Sequence, residues 1–245
     1  MLQTQRDITR LQGDFINTIS HELRNPLGFI KGYTTTLLRE DAHWDLNTQR
    51  DFLEIIERET NNLTELIDNL LDSSRLQSGK MRFDFQMLRL DALIRDEVKR
   101  SAISNPDQVV NLDIPENLPP IKGDARRLAQ VFANLISNSH KYAPNSTIYI
   151  SVRPTETTME ITYSDSGPGI SEKFLPFIFT RFFRAPDQSI NAHGSGLGLS
   201  ICKQIIESHY GKINAYSPAG SGLLFQISLP LNIVERDIDH TEGYL

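Results

Sequence analysis

Apolar residues near the start of the chain recur at steps of three and four: Ile8, Leu11, Phe15, Ile19, Leu23, Leu27 and Ile30. That spacing predicts a long amphipathic helix. A second run, Phe52, Ile55, Ile56, Leu63, Leu66, Ile67, Leu70 and Leu71, predicts another. The polar stretch Asp41–Asn47 between them has the length that joins antiparallel helices, with Asn47 as the candidate N-cap. Ser73 through Lys80 reads as a helix end and hinge, and Gly79 suits a left-handed C-terminal position. Two helices alone bury their stripes poorly. A homodimeric four-helix bundle would complete the core, although a second domain could cover the stripe instead.

Beyond the hinge the period changes. Alternation at Met81, Phe83, Phe85 and Met87 predicts a strand, and Leu90 to Ser104 a helix. Val109 to Ile114 reads as a short strand, followed by a turn carrying Pro115, Pro119 and Pro120. Asp124 can cap a helix running through Leu128, Phe132, Leu135 and Ile136 to Tyr142. Strands follow at Thr147–Arg153 and Thr158–Ser164, then a loop region rich in Gly and Pro from Asp165 to Gly198. A helix from Gly196 to His209 and strands at Lys212–Ser217 and Leu223–Leu229 complete the pattern. The fold class is therefore α+β: a helical hairpin over residues 1–79, a mixed domain over 80–232, and a polar tail at 233–245.

Composition narrows the function classes. The 245 residues are 39% hydrophobic and carry a net charge of −6, with no basic cluster interleaved with aromatics, which argues against nucleic acid. The single cysteine, Cys202, excludes an intramolecular disulfide, and its apolar helical setting predicts a buried small hydrophobe. The six histidines form no cluster with zinc spacing. No run is long and apolar enough for a membrane span, and no signal peptide is evident, so a cytoplasmic segment without membrane contact is expected. The chain enters its first helical pattern without a cap or turn, which suggests a fragment whose upstream part lies outside this sequence.

His21 lies two residues from both Ile19 and Leu23, which places it near the water-facing side of the first helix. Asn25 shares that face, and Pro26 should kink the helix by crowding the Glu22 carbonyl. Three further elements carry chemistry. Asp165-Ser166-Gly167-Pro168-Gly169 directly follows a strand; its glycines permit close approach, and its carboxylate can accept from an exocyclic amine. Gly194-Ser195-Gly196-Leu197-Gly198 opens a helix and can present amides to phosphate, yet it lacks the lysine of a Walker A loop. Asn134 and Asn138 share one helix face, with Lys141 a turn beyond; amide oxygens suit Mg2+ and the lysine suits phosphate. Taken singly, each element also has a plain structural reading as a turn or a polar surface.

In order and spacing these elements resemble the bacterial sensor histidine kinases. Ser20–Leu27 resembles the H box, Asn134–Tyr142 the N box, Asp165–Gly169 and Gly194–Gly198 the two glycine boxes, and Ile178–Arg184 the F box. The resemblance covers residues from about 11 to 230. It departs at Asn25, where threonine is more frequent, at Ser139, where alanine is usual, and at Tyr210, which replaces a glycine. It implies a dimerisation and phosphoacceptor hairpin followed by an ATP-binding α/β sandwich of the gyrase type. It further implies that Asp165 reads the adenine amine and that Gly167 and Gly169 shape that loop. Asn138 with Asn134 would hold Mg2+, and Lys141 and Tyr142 would contact phosphate or ribose. Gly194, Gly196, Leu197 and Gly198 would cradle phosphates, and Ser171–His193 would form a lid. Arg181 or Arg184 would stabilise the transferring phosphoryl group. His21 would accept it with help from Glu22 and pass it to an aspartate on a response-regulator receiver domain. Asn25 would support the reverse hydrolysis on that partner. Two alternatives keep a place: a dimeric scaffold that binds nucleotide without transfer, and an ATP-driven clamp without phosphohistidine.

Overall fold

The computed structural model describes residues 2–185, 195–218 and 221–231, with side chains from residue 19 onward. Within those residues the chain divides into two compact units. The first holds residues 2–81, 179–185 and 195–201; the second holds 82–178, 202–218 and 221–231.

In the first unit, α1 (Leu2–Leu37) and α2 (Leu46–Gln77) form the hairpin that the two apolar stripes predict. α1 is continuous across Pro26. The connection is closed by aromatic packing: the Phe52 ring lies 5.2 Å from Tyr33 and 5.3 Å from Trp44. Trp44 Nε1 donates to the Thr36 carbonyl at 3.1 Å. The N-cap of α2 is Asp45, not Asn47: its carboxylate accepts from the amides of Asn47 and Thr48. Both residues can cap, and the extended backbone at Asp45 decides between them. At the other end Gly79 adopts φ 64°. Its amide bonds the Leu76 carbonyl and that of Lys80 bonds Arg75, which is the Schellman arrangement.

The second unit is built on a five-stranded sheet in the order β2-β4-β5-β7-β6. Its strands are β2 (Val110–Asp113), β4 (Ile148–Pro154), β5 (Thr158–Asp165), β6 (Lys212–Tyr216) and β7 (Leu224–Pro230). β2 and β4 run parallel and the other pairs antiparallel. Register sets the buried face: Ile150 pairs with Tyr163 and Tyr163 with Phe225, while Val152 pairs with Ile161 and Ile161 with Ile227. All of these are buried. Residues between them, such as Ser151, Thr162 and Gln226, are polar, as a sheet covered on one side requires.

Against that face packs α4 (Ala125–Tyr142), whose Leu128, Val131, Phe132, Leu135 and Ile136 are buried. Each such side chain contributes about 1.5–3 kcal/mol of burial. α3 (Leu90–Ser104) packs on α4 through Leu90 and Ile94. Two features depart from the sequence pattern. The alternation at Met81–Met87 predicts a longer strand than forms: only β1 (Gln86–Leu88) pairs, because its partner β3 (Ile121–Gly123) is three residues long. β3 itself is hidden behind the Pro-rich turn. Also, α5 (Gly198–Ser208) begins later than Gly196, whose φ of 66° is not helical.

Phe83 and Phe85 turn their rings to His209, at centroid distances of 5.6 and 4.9 Å. His209 is 1% exposed. Its Nε2 accepts from the Asp124 amide at 2.9 Å and its Nδ1 lies 2.7 Å from the Ile205 carbonyl, so the neutral ring donates through Nδ1. Asp124 in turn caps α4 through Arg127 and accepts from the Asp84 amide. Burial holds the imidazole below its ordinary pKa of 6.5, against the opposing pull of the Ile205 carbonyl and the Asp124 carboxylate. The unfolded chain therefore takes up this proton more readily, and stability falls as pH drops below about 6.5. Thermal unfolding between pH 7 and 5.5 should show a declining Tm. His209→Gln should flatten that decline, and an unchanged slope in the variant would remove this role.

Candidate functional site

His21 is exposed on α1, on the side that its spacing from Ile19 and Leu23 predicts. Among the described residues it makes no hydrogen bond or ion pair. Its neighbour Glu22 is directed elsewhere: Oε1 lies 3.2 Å from Arg184 Nη1. Arg181, three residues earlier, donates to Gln77 Oε1 at 2.7 Å. The first unit thus brings one of the two candidate arginines beside the histidine segment and the other to the end of α2. Asn25 is half-buried one turn beyond His21.

The first unit also contains the described part of the second glycine-rich loop. Gly196 accepts from the Phe182 amide at 2.9 Å. The Leu197 side chain is fully buried, so any part it plays toward a ligand is through its backbone. Its carbonyl accepts from the Ile201 amide and the Ser200 hydroxyl, which opens α5 at Gly198. Gly194 and the stretch 186–193 of the expected lid lie outside the described residues, as does the tail at 233–245. The start of the segment expected to form a lid is a short 3-10 helix, Glu172–Phe177.

The second unit carries the other groups. Asp165 ends β5 and is only 6% exposed. Its Oδ1 accepts from the Gly167 amide at 2.9 Å and from the Leu223 amide at 3.4 Å. Its Oδ2 accepts from the Ser139 hydroxyl at 3.0 Å. The loop after it fits closely against its surroundings. A Cβ on Gly167 would collide with the Ala143 side chain, and one on Gly222 with the Asp165 carbonyl. Beyond Gly167 and Gly169, the Ile170 amide donates to Ser217 Oγ at 2.8 Å.

Asn134 and Asn138 lie half-buried one turn apart on α4, with Lys141 and Tyr142 at its last turn. Asn134 hydrogen-bonds Cys202, whose thiol burial pushes up to about 12. That thiol is fully buried, with Sγ 3.8 Å from the Val131 carbonyl, so it is the small hydrophobe that its setting predicts and not a nucleophile. No group of three or more His, Cys, Asp or Glu placed to hold a metal ion occurs among the described residues. Two amide oxygens fit Mg2+, which takes few protein ligands and completes its shell with water and phosphate.

Three residues that hold Asp165 in place receive no role from the motif readings. Ser139 registers in the sequence only as a departure from alanine. Tyr163 donates from its hydroxyl toward the Leu135 carbonyl and Ser139 Oγ, at 3.0 and 2.9 Å. Leu223 is placed by the return of β7. Tyr163 has one legible signal: the two-residue period of β5 puts it on the same face as Asp165.

Comparison with known proteins agrees with this geometry. Residues 11–79 match the His Kinase A (phospho-acceptor) domain, and residues 123–233 match the histidine kinase-, DNA gyrase B- and HSP90-like ATPases. The chain is 33% identical over 223 residues to the sensor protein KdpD of Clostridium acetobutylicum, covering 90% of this chain and 25% of that protein. It is 34% identical over 233 residues to the sensor-like histidine kinase SenX3 of Mycobacterium tuberculosis, covering 92% and 56%. It therefore spans about a quarter of the one relative and about half of the other. Among solved structures, the Acinetobacter baumannii histidine kinase AdeS aligns with a TM-score of 0.67 at 23% identity, over 87% of this chain and 98% of that one. Histidine kinase ThkA, solved in complex with the response regulator TrrA, aligns with a TM-score of 0.67 at 24% identity, over 94% and 65%. The chain belongs to the two-component sensor histidine kinases and carries their catalytic core, a phosphoacceptor hairpin followed by an ATPase-type domain.

Proposed function

We propose that this chain is an ATP-dependent, autophosphorylating protein-histidine kinase in which residues 1–79 form the dimerisation and phosphotransfer hairpin and 80–232 bind ATP. The carrying observation is the exposed imidazole of His21, with no partner among the described residues, in a chain that matches both domain families. Asp165 takes the adenine amine. Asn138, with Asn134, holds Mg2+, which supplies charge neutralisation on the phosphates. Lys141 and Tyr142 contact phosphate or ribose, and the loop at Gly194–Gly198 offers backbone amides to phosphate.

His21 attacks the γ-phosphorus through a neutral ring nitrogen; an N–P bond forms as the bond to the ADP oxygen breaks. Positive charge develops on the ring, and a carboxylate at Glu22 stabilises the remaining N–H. Phosphoryl transfer depends on positioning and electrostatics, so a guanidinium near the acceptor has a direct use. The pairing of Arg184 with Glu22 favours Arg184 over Arg181 for it. The phosphoryl group then passes to an aspartate of a response-regulator receiver domain, a partner class supported by the ThkA–TrrA complex. Asn25 orients water for the reverse hydrolysis, which makes the protein bifunctional.

The hairpin supports a homodimer. Leu27, Phe29 and Leu53 are at least half exposed, and Ile67 and Leu71 are exposed to 44% and 49%. A second copy would cover such a face and complete a four-helix core. No helix among the described residues is long and apolar enough to cross a membrane. We assign this segment to the cytoplasm, where ATP and receiver domains meet it.

Incubation with γ-labelled ATP and Mg2+ should give acid-labile, alkali-stable label on the protein. His21→Gln should abolish it; label retained in that variant moves the acceptor elsewhere. For the reverse reaction, a phosphorylated receiver domain should lose its phosphoryl group faster in the presence of the chain. Asn25→Ala should slow that loss by at least about tenfold, on the scale of general acid–base contributions. An unchanged rate in Asn25→Ala would take the role from this residue.

A further inference from the structure

The carboxylate of Asp165 offers about four lone-pair positions. Oδ1 uses two, on Gly167 and Leu223, and Oδ2 uses one on Ser139. One position on Oδ2 is left. Ser139 therefore decides which way that last acceptor points. The serine hydroxyl has a single proton, and it goes to Asp165. Its oxygen accepts from Tyr163, whose own proton is shared with the Leu135 carbonyl. The chain of donors runs in one direction, from β5 through α4 back to the end of β5. All three residues are buried: Tyr163 at 0%, Ser139 at 3% and Asp165 at 6% exposure. In so dry a setting a hydrogen bond to a charged acceptor is strong and its loss is felt.

We propose that Ser139, backed by Tyr163, is a positioning residue that fixes the Asp165 carboxylate for recognition of an exocyclic amine on the nucleotide base. The proposal rests on the reading of Asp165 as the adenine contact. It assigns to Ser139 a share in base selectivity that an alanine at this position cannot supply. Ser139→Ala removes the donor to Oδ2 and leaves Tyr163 still bonded to Leu135. The backbone donors on Oδ1 are untouched, so the carboxylate stays in place while its free lone pair loses its direction.

The test compares the full chain and its variants in binding ATP and purine riboside triphosphate, which lacks the 6-amino group. Wild type should prefer ATP. Ser139→Ala should lose about tenfold in ATP affinity, the size of one charge-assisted hydrogen bond, with no change toward the analogue. Tyr163→Phe should shift the preference the same way by a smaller factor, and it carries the test if Ser139→Ala fails to fold. Loss of affinity for both nucleotides alike would reduce Ser139 to a structural role and overturn the proposal. A preference retained in both variants would also overturn it and leave the Asp165 reading standing. Equal binding of both nucleotides by wild type would overturn the Asp165 reading itself.

Discussion

The carboxylate of Asp165 is the point at which separate stretches of the second unit meet. The end of β5 supplies it, α4 reaches it through Ser139, the following loop through Gly167, and the approach to β7 through Leu223. A buried carboxylate without such donors would be costly, and three of them make this one a fixed acceptor. Its surroundings are fitted just as closely, since neither Gly167 nor Gly222 has room for a side chain. The setting of this carboxylate is thus a consequence of how the sheet and α4 close on one another.

α4 is organised by polar contacts at both ends. At its N-terminus Asp124 caps the helix, accepts from Asp84 and donates its own amide to the neutral His209 ring. Near its C-terminus Ser139 ties it to β5. Between them an apolar face, Leu128, Val131, Leu135, seats the helix on the sheet. Asn134 and Asn138 lie half-buried on the flank of that face, so one helix supplies both the packing of the domain and its candidate metal ligands. The phosphoacceptor hairpin follows a different logic. It keeps His21 exposed and leaves large apolar residues uncovered, as suits a surface that meets other proteins.

Much of this was legible from periodicity. The helices at Leu90–Ser104 and Ala125–Tyr142, with Asp124 as cap, follow from apolar spacing and one well-placed acid. The hairpin and the left-handed Gly79 follow in the same way. What escaped depended on long-range partners. β3 is too short to carry an alternation of its own, and Phe83 and Phe85 look like strand residues until His209, more than a hundred positions away, claims their rings. The choice of Asp45 over Asn47 turned on backbone geometry between two good caps. Tyr210, which the resemblance marks as replacing a glycine, adopts φ 58°, a left-handed conformation. Ser139 is the clearest case. Its meaning appears only when α4 lies over β5 and a departure from alanine becomes a hydrogen bond to the buried Asp165 carboxylate.

The account stands on Asp165 as the group that holds the nucleotide, and calorimetric titration of ATP into the full chain tests it most directly. Wild type should bind ATP saturably. Asp165→Asn keeps the size of the side chain but replaces one acceptor by an N–H donor, and it should weaken binding by at least about tenfold. Its melting temperature reports whether the fold persists. ATP affinity unchanged in a folded Asp165→Asn variant would contradict the account.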